Sequence, residues 1–552
     1  MSTTPKKSRL GLLSLAGIAA VAIASAAWAY IYLRGAPTGN RGALAAARLV
    51  PESAWGTVYF STDRASWSRL EEFGTTEAQT VVKSQLDRLG QEILDRTGVD
   101  PFKDVRPWVG GVTIARLPGD ATDGIADRSD LLIVLGIRDK LKAMAFAKKM
   151  KANAQGQIAE QEYQGVTLTE VAQKDGTTLG MAILGNHWVL AFDPELVRQA
   201  IDTYKGSPSF ASQPDIENLL ERGTGVDTPL AQAYIADYQP LLESAAAEGD
   251  REISPSAVSE LESVNSIALG VGVGDRGLQA KAIADLDPEV TFAEAVSPNR
   301  QIATRFPAET LVAIGGRSPH RVWMQLVARS QTQPQVGEWV DRVRSGFKQI
   351  QLEADGVFRW MDGDFALGLI PSQEGILAQT GFGGALVLQT SDRAAAAATL
   401  KQLNEVVRTR LPLPLTVKET EVQGIALSEW SIPQIAPGAL VSYGWLDDRS
   451  LLIAFGSPLV NVMVPQPATN LSQSETFRDA VESLPQTNFG SVYVNMEQTL
   501  SILNRLPPEA TPISPEANVL LQSVRGIGIT ATPPKNNAST VEIAIPLKRR
   551  SQ

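Results

Sequence analysis

Cysteine is absent from the 552-residue chain, and histidine occurs only at His187 and His320. The first absence removes disulfides, thiolate metal sites and cysteine nucleophiles. The second excludes a zinc site built from two or three imidazoles of ordinary spacing. It also leaves only those two residues to act as the base of a Ser-His-Asp triad. No Gly-Lys pair occurs, so there is no Walker A loop, and no G-x-S-x-G elbow is present. The net charge is −10, and setting aside Lys6, Lys7, Arg9 and Arg34 beside the apolar N-terminus leaves −14 for the rest. So acidic a body does not suit a phosphate backbone, and no nucleic-acid partner is expected. No catalytic residue, cofactor ligand or metal ligand is assigned, and the reading leans away from an enzyme.

What is present is a globular composition, 43% hydrophobic and 20% charged, long enough for about two to four domains. Residues 10–33, "LGLLSLAGIAAVAIASAAWAYIYL", carry no charge. At 1.5 Å per residue they are long enough for a hydrocarbon core of about 30 Å. Lys6, Lys7 and Arg9 precede the run, and Trp28, Tyr30 and Tyr32 stand near its far end. The expectation is a cytoplasmic segment at 1–9, a transmembrane anchor at 10–33 and a tether at 34–48, with the body across the membrane. The small-x-small triplets "ASA" and "AWA" offer cleavage of a signal peptide as the alternative. The apolar run continues past both, as an anchor does.

The body reads as a duplication. "YQGVTLTE" at residues 163–170 returns as "VQGIALSE" at 422–429. "LVPESAWGTVYFSTDRASWSRL" (49–70) matches "RFPAETLVAIGGRSPHRVWMQL" (305–326) without a gap, aligning Pro51 with Pro307 and Trp67 with Trp323. "SDLLIVLGIRDKLKAMAFAKKM" (129–150) matches "GALVLQTSDRAAAAATLKQL" (384–403), aligning Asp139 with Asp392 and Lys148 with Lys401. "HWVLAFDPELV" (187–197) matches "SLLIAFGSPLV" (450–460), and further blocks follow in the same order. The period is too long for a solenoid. The expected organisation is repeat domain 1 at 49–287, a linker at 288–304, repeat domain 2 at 305–548 and a tail at 549–552. Gly165 and Gly424 are expected to supply a positive φ in a recurring turn. Thr62 and Ser318 are expected as helix N-caps. Alternating β-branched runs joined by hairpins, with helices inserted, give the fold class: α+β, an N-terminal transmembrane helix followed by two homologous repeats of mostly antiparallel sheet.

Motifs with chemical potential read mostly as structure. "GVGDRG" (272–277) fits G-x-G-x-x-G, but the run after it alternates like a strand, so a hairpin is expected. Asp362 and Asp364 in "MDGDFALG" read as turn residues. Asp285, Asp287, Glu289 and Glu294 read as a solvated linker, with a weak divalent-cation site as the alternative. Trp67 and Trp323, each three residues before a Leu on a helix, read as core. His320 reads as a surface residue near a helix start, and His187 as a hairpin residue.

The apolar N-terminus, "LVPESA" opening a duplicated body, and the "YQGV", "LAFDPE" and "SPSF" blocks together resemble the largely cyanobacterial domain-of-unknown-function family numbered three-three-five-two. The resemblance covers essentially the whole chain. It implies a photosynthetic bacterium, hence a periplasmic or thylakoid-lumen body, and carries no site. The leading functional expectation is a non-catalytic scaffold or assembly factor, tethered to the membrane and holding a protein partner. One alternative is a carrier or sensor of an apolar ligand bound between sheet and helices. Another is a hydrolase using carboxylates or Ser/Lys.

Overall fold

The computed structural model describes residues 41–97, 99–118, 129–153, 158–172, 177–238, 264–286, 300–331, 334–374, 377, 381–409, 415–432, 438–505, 513–535 and 537–550. The chain divides into two compact units. The first is Met1–Val290 with Lys535–Thr540 and Arg549–Gln552; the second is Thr291–Pro534 with Val541–Lys548.

In the first unit the strands are β1 Gly56–Ser61, β2 Val109–Arg116, β3 Leu131–Ile137, β4 Ile158–Tyr163, β5 Val166–Ala172, β6 Thr178–Leu184, β7 His187–Ala191, β8 Pro229–Ile235, β9 Val264–Val273 and β10 Gly277–Leu286. Their pairings are all antiparallel and give the order β4-β5-β6-β7-β3-β2-β1-β8-β9-β10. In the second unit they are β11 Val312–Arg317, β12 Asp364–Pro371, β13 Phe382–Gln389, β14 Thr416–Val422, β15 Ile425–Ser431, β16 Ala439–Trp445, β17 Ser450–Phe455, β18 Gly490–Asn495, β19 Gly526–Lys535 and β20 Ala538–Pro546. The order there is β14-β15-β16-β17-β13-β12-β11-β18-β19-β20. The two orders are the same, strand for strand.

Local chemistry explains why these segments take these shapes. The recurring Gln-Gly is a two-residue turn with both φ values positive: 47° and 74° at Gln164 and Gly165, 53° and 80° at Gln423 and Gly424. A turn of that hand matches the twist of the strands it joins. The first-unit turn is also tied down. Tyr163 Oη and Gln164 Nε2 donate to Asp202 Oδ1 at 3.0 and 2.6 Å. Asp202 belongs to helix Pro194–Tyr204, which begins on Asp193 as N-cap with Pro194 in its first turn. Leu196, Val197, Ala200 and Ile201 of that helix form one buried stripe. They pack with Leu168, Ala182, Leu184 and Val189 in a single core cluster.

Of the two helix caps expected after β1 and β11, one stands and the other moves by one residue. Ser318 is a cap, accepting from Arg321 N. In the first unit the cap is Asp63 rather than Thr62, because its two carboxylate oxygens accept from both Ala65 N and Ser66 N. Trp67 and Trp323 are each 1% exposed. Their indole N–H groups are satisfied differently: Trp67 donates to Ser61 O at 2.7 Å, Trp323 to Asp355 Oδ1 at 2.7 Å.

The membrane anchor expected at 10–33 has to be corrected. Among the described residues no helix is long and apolar enough to cross a membrane. The longest, Thr76–Thr97, has 22 residues but includes Glu77, Lys83, Asp87 and Arg88, and charges at membrane depth are costly. Residues 10–33 themselves lie outside the described residues. Among the described residues the fold class is α+β with antiparallel sheets, and no transmembrane helix is shown. The single-pass location, with its cytoplasmic N-terminus and membrane-bound body, finds no support among the described residues.

Truncating either buried indole, Trp67→Ala or Trp323→Ala, is expected to destabilise its unit by about 3–5 kcal/mol. The unfolding midpoint in urea reads this out; a loss below about 0.5 kcal/mol at either position would contradict the core assignment.

Candidate functional site

Directly paired residues of an antiparallel ladder share a face. In the first unit Thr169 pairs with Met181, Glu160 with Thr169, and Ile183 with Trp188. These side chains stand on the face away from helix Pro194–Tyr204. The cover on that side is helix Lys140–Asn153. Its Phe146 packs 5.4 Å from Trp188 and 5.5 Å from Trp108, and the two indoles lie 5.3 Å apart. Beside this aromatic cluster the face is open. A groove of about 620 Å³ is lined by Ala147, Thr167, Thr169, Met181, Ile183 and Trp188, with Gly165, Gly185 and Lys205 also lining it. That volume falls in the range of small-molecule sites, about 300–1,000 Å³.

The second unit shows the same face filled. Ser428 pairs with Tyr443 and Trp445 with Leu451, so Tyr443 and Trp445 occupy the ladder positions of Met181 and Ile183. Trp430 occupies the position of Val171, and Leu400 that of Ala147. Leu400, Tyr443 and Leu451 form a buried cluster, with Trp430 and Trp445 packed against it. Trp430 and Tyr443 meet edge to face at 6.0 Å. Asn404, from helix Arg393–Thr409, accepts from Trp430 Nε1 at 2.8 Å and donates to Ser428 Oγ at 3.4 Å. Arg393 lies 4.6 Å above the Trp445 ring. The exchange also runs the other way, since Phe146 and Trp188 have Thr399 and Leu451 opposite them. The opening in the first unit therefore lies toward β5 and β6 and runs on past the turn ends to Gly185, Tyr204 and Lys205.

The polar groups singled out in the sequence go elsewhere. Gly272 and Gly277 sit at the β9–β10 hairpin, and Gly274 N donates to Gly277 O at 2.8 Å. A Cβ on Gly270 or Gly272 would lie 2.0 Å from Thr224 Oγ1 or 2.3 Å from Asp227 O. Those glycines let the preceding loop cross β9; they bind no nucleotide there. Asp362 and Asp364 separate: Asp362 accepts from Ser391 N at 2.9 Å and from Ser391 Oγ, while Asp364 faces Arg317 at 3.6 Å. Burial opposes the charge on Asp362, but the Ser391 hydrogen bonds outweigh it and hold its pKa below the usual carboxylate value. Burial likewise opposes ionisation of Asp355, and Arg344 and Trp323 hold it low in the same way. A carboxyl acting as general acid needs the opposite shift. His187, half-buried at the start of β7, has its pKa lowered by burial. His320 Nδ1 is buried without a hydrogen-bond partner, near the start of helix Pro319–Arg329. Tyr234 and Tyr493 hold the same ladder position in the two units, and burial pushes both phenols upward. Asp285 ends in β10; Asp287, Glu289 and Glu294, and with them the linker cation site, lie outside the described residues. Among the described residues no group of three metal-ligating side chains occurs.

The family model for a protein of unknown function (DUF3352) matches residues 14–547. The chain belongs to this family. Membership in DUF3352 agrees with the motif resemblance at the level of a domain of unknown function; the photosynthetic source is unsupported by the comparisons. No curated protein matches the chain. Among solved structures, crystal form III of TP0453 is similar at 12% identity, covering 45% of this chain and 82% of that one with a TM-score of 0.26. Crystal form IV gives 13%, 45%, 84% and 0.25. Likeness of that degree carries no functional argument.

Asp362 contributes to stability while it is ionised. Its folded pKa is depressed, so the contribution is complete above the unfolded value of about 4 and is lost as the pH falls toward the folded one. Asp362→Asn is expected to lower stability at neutral pH and to flatten the acid limb of a stability–pH curve. An unchanged acid limb would show that Asp362 does not hold Ser391 in solution.

Proposed function

We propose that this DUF3352 protein is a non-catalytic binding protein, a carrier or sensor that takes an apolar ligand between sheet and helix in its first unit. One observation carries the reading. The same ten-strand frame is packed by Trp430, Tyr443, Trp445 and Leu400 in the second unit, and left open over about 620 Å³ in the first. Its walls mix Met181, Ile183 and Trp188 with Thr167, Thr169, Glu160 and Lys205, and a concave site with both kinds of group suits a ligand better than a flat solvated face. The repeat boundaries at 49–287 and 305–548, with the linker between, are part of the same proposal, since one frame built twice gives one site and one filled counterpart.

A scaffold or assembly role, with a protein partner, is favoured by a different observation. Val322, Met324 and Trp339 in the second unit are 52%, 50% and 44% exposed. Those helices are available to a partner, and binding in the groove does not compete with that role.

The test is titration of the full chain with the neutral dye Nile red. One saturable fluorescence increase is expected. It is expected to be lost in Ile183→Trp, which copies the second unit at that ladder position, with the circular dichroism spectrum unchanged. Undiminished uptake by the folded variant would sink the groove as the binding site.

A further inference from the structure

The filled copy describes the shape and chemistry that the open copy lacks. On the frame of β14–β17 the chain places two indoles and a phenol, at Trp430, Trp445 and Tyr443. At the matching positions of β5 and β6 it places Val171, Ile183 and Met181. The backbone spacing is set by the same ladder in both. Of these three, Met181 and Ile183 line the groove, which is bounded on one side by the Trp188 ring; there the first unit leaves free the space that a phenol and an indole fill in the second. Aromatic rings in contact gain about 0.5–1.5 kcal/mol beyond their buried area, an advantage that an alkyl chain in the same space does not share.

Charge narrows the class further. Lys205, which follows helix Pro194–Tyr204, lines the groove. Among the described residues its ammonium has no carboxylate partner; it lies 6.0 Å from the ring of its neighbour Tyr204. Its Nζ stands 4.0 Å from where a Cβ of Gly165 would be, beside the Gln-Gly turn. The groove's other charged residue, Glu160, is engaged in interactions of its own. Lys205 is the positive group at the turn end, near the Asp202 carboxylate, which accepts from Tyr163 and Gln164.

Resting on the groove reading above, we infer that the ligand is a small planar aromatic acid, its ring stacked in the β5–β6 half of the groove and its carboxylate directed to Lys205.

The experiment is isothermal titration calorimetry of the full chain with three probes: indole-3-acetate, uncharged indole and octanoate. Indole-3-acetate is expected to bind best. Lys205→Met is expected to weaken it roughly fivefold, the worth of one partly exposed ion pair, and to leave indole unchanged. Ala147→Leu, which copies the second unit at Leu400 and adds little bulk, is expected to weaken both aromatic probes. The converse variant Trp430→Val with Trp445→Ile opens the second unit and is expected to raise the indole stoichiometry from one site to two. If octanoate binds as tightly as indole-3-acetate and Ala147→Leu weakens it, the groove stands and the aromatic-acid inference is overturned. If indole binds but Lys205→Met leaves indole-3-acetate unaffected, the acid half of the inference is overturned. If none of the probes binds, both the groove and the inference fail.

Discussion

A sheet of ten strands has two faces, and whatever the chain provides must cover both. Everything particular about this protein follows from how the second face is covered. On the first-unit face that carries Leu168, Ala182 and Val189, helix Pro194–Tyr204 lays down a four-residue apolar stripe that leaves the cluster closed. The opposite face depends on the volume of side chains rising from β5 and β6, or from β15 and β16. Interiors tolerate few voids larger than a water molecule. Large residues there make a core, as in the second unit, and small ones make a groove. The choice lies in four positions, while the backbone pairing is the same.

Charge is used conservatively on this frame. Carboxylates cap helices, as Asp63 and Asp193 do, or pair with a single Arg, as Glu170 does with Arg198 at 2.7 Å. A partly exposed pair of that kind contributes at most about 1 kcal/mol, so such pairs settle register and orientation more than stability. The same economy shows at the chain entry to each sheet. Pro51 bridges to Ser209 and Pro307 to Asn470, and each partner opens a one-turn helix through a reciprocal capping box, Ser209 with Ser212 and Asn470 with Gln473. Polar groups so occupied have little left for acid–base chemistry. Lys205 is different in lining a cavity.

Several of these features were legible in the sequence because their chemistry is local. A Gln-Gly pair between alternating runs specifies a turn of one hand, and both copies adopt it. Trp67 and Trp323 could be placed in the core from their equivalence across the repeat and their helical spacing. The cap at Asp63 was misplaced by one residue, since Thr and Asp both cap and only the geometry shows that a carboxylate reaches two amides. The anchor reading was built on apolar length at 10–33, outside the residues described, and no described helix takes over its role. The groove was the least legible feature. A void is the difference between the volume that a frame can hold and what the sequence supplies, and no single residue signals it. Its trace was nevertheless present just past the opening motif, where Glu170 is followed by Val171 and Glu429 by Trp430.

That contrast also explains how an open groove survives in a protein that must stay folded. Leaving apolar surface uncovered forfeits burial worth about 25 cal/mol per Å², and a frame with an open half-face has to recover the loss elsewhere. In the first unit the recovery is visible in Trp108, Phe146 and Trp188, which mass three rings over the β3–β7 side. The second unit has Thr399 and Leu451 where the first has Phe146 and Trp188. Aromatic bulk has thus been moved along the face rather than removed from it. Such a shift keeps the helix seated on its sheet while clearing the neighbouring ladder positions, and it confines the uncovered surface to a slot instead of exposing the whole face. Packing and opening thus lie side by side on one surface, and Trp188 is shared by the two.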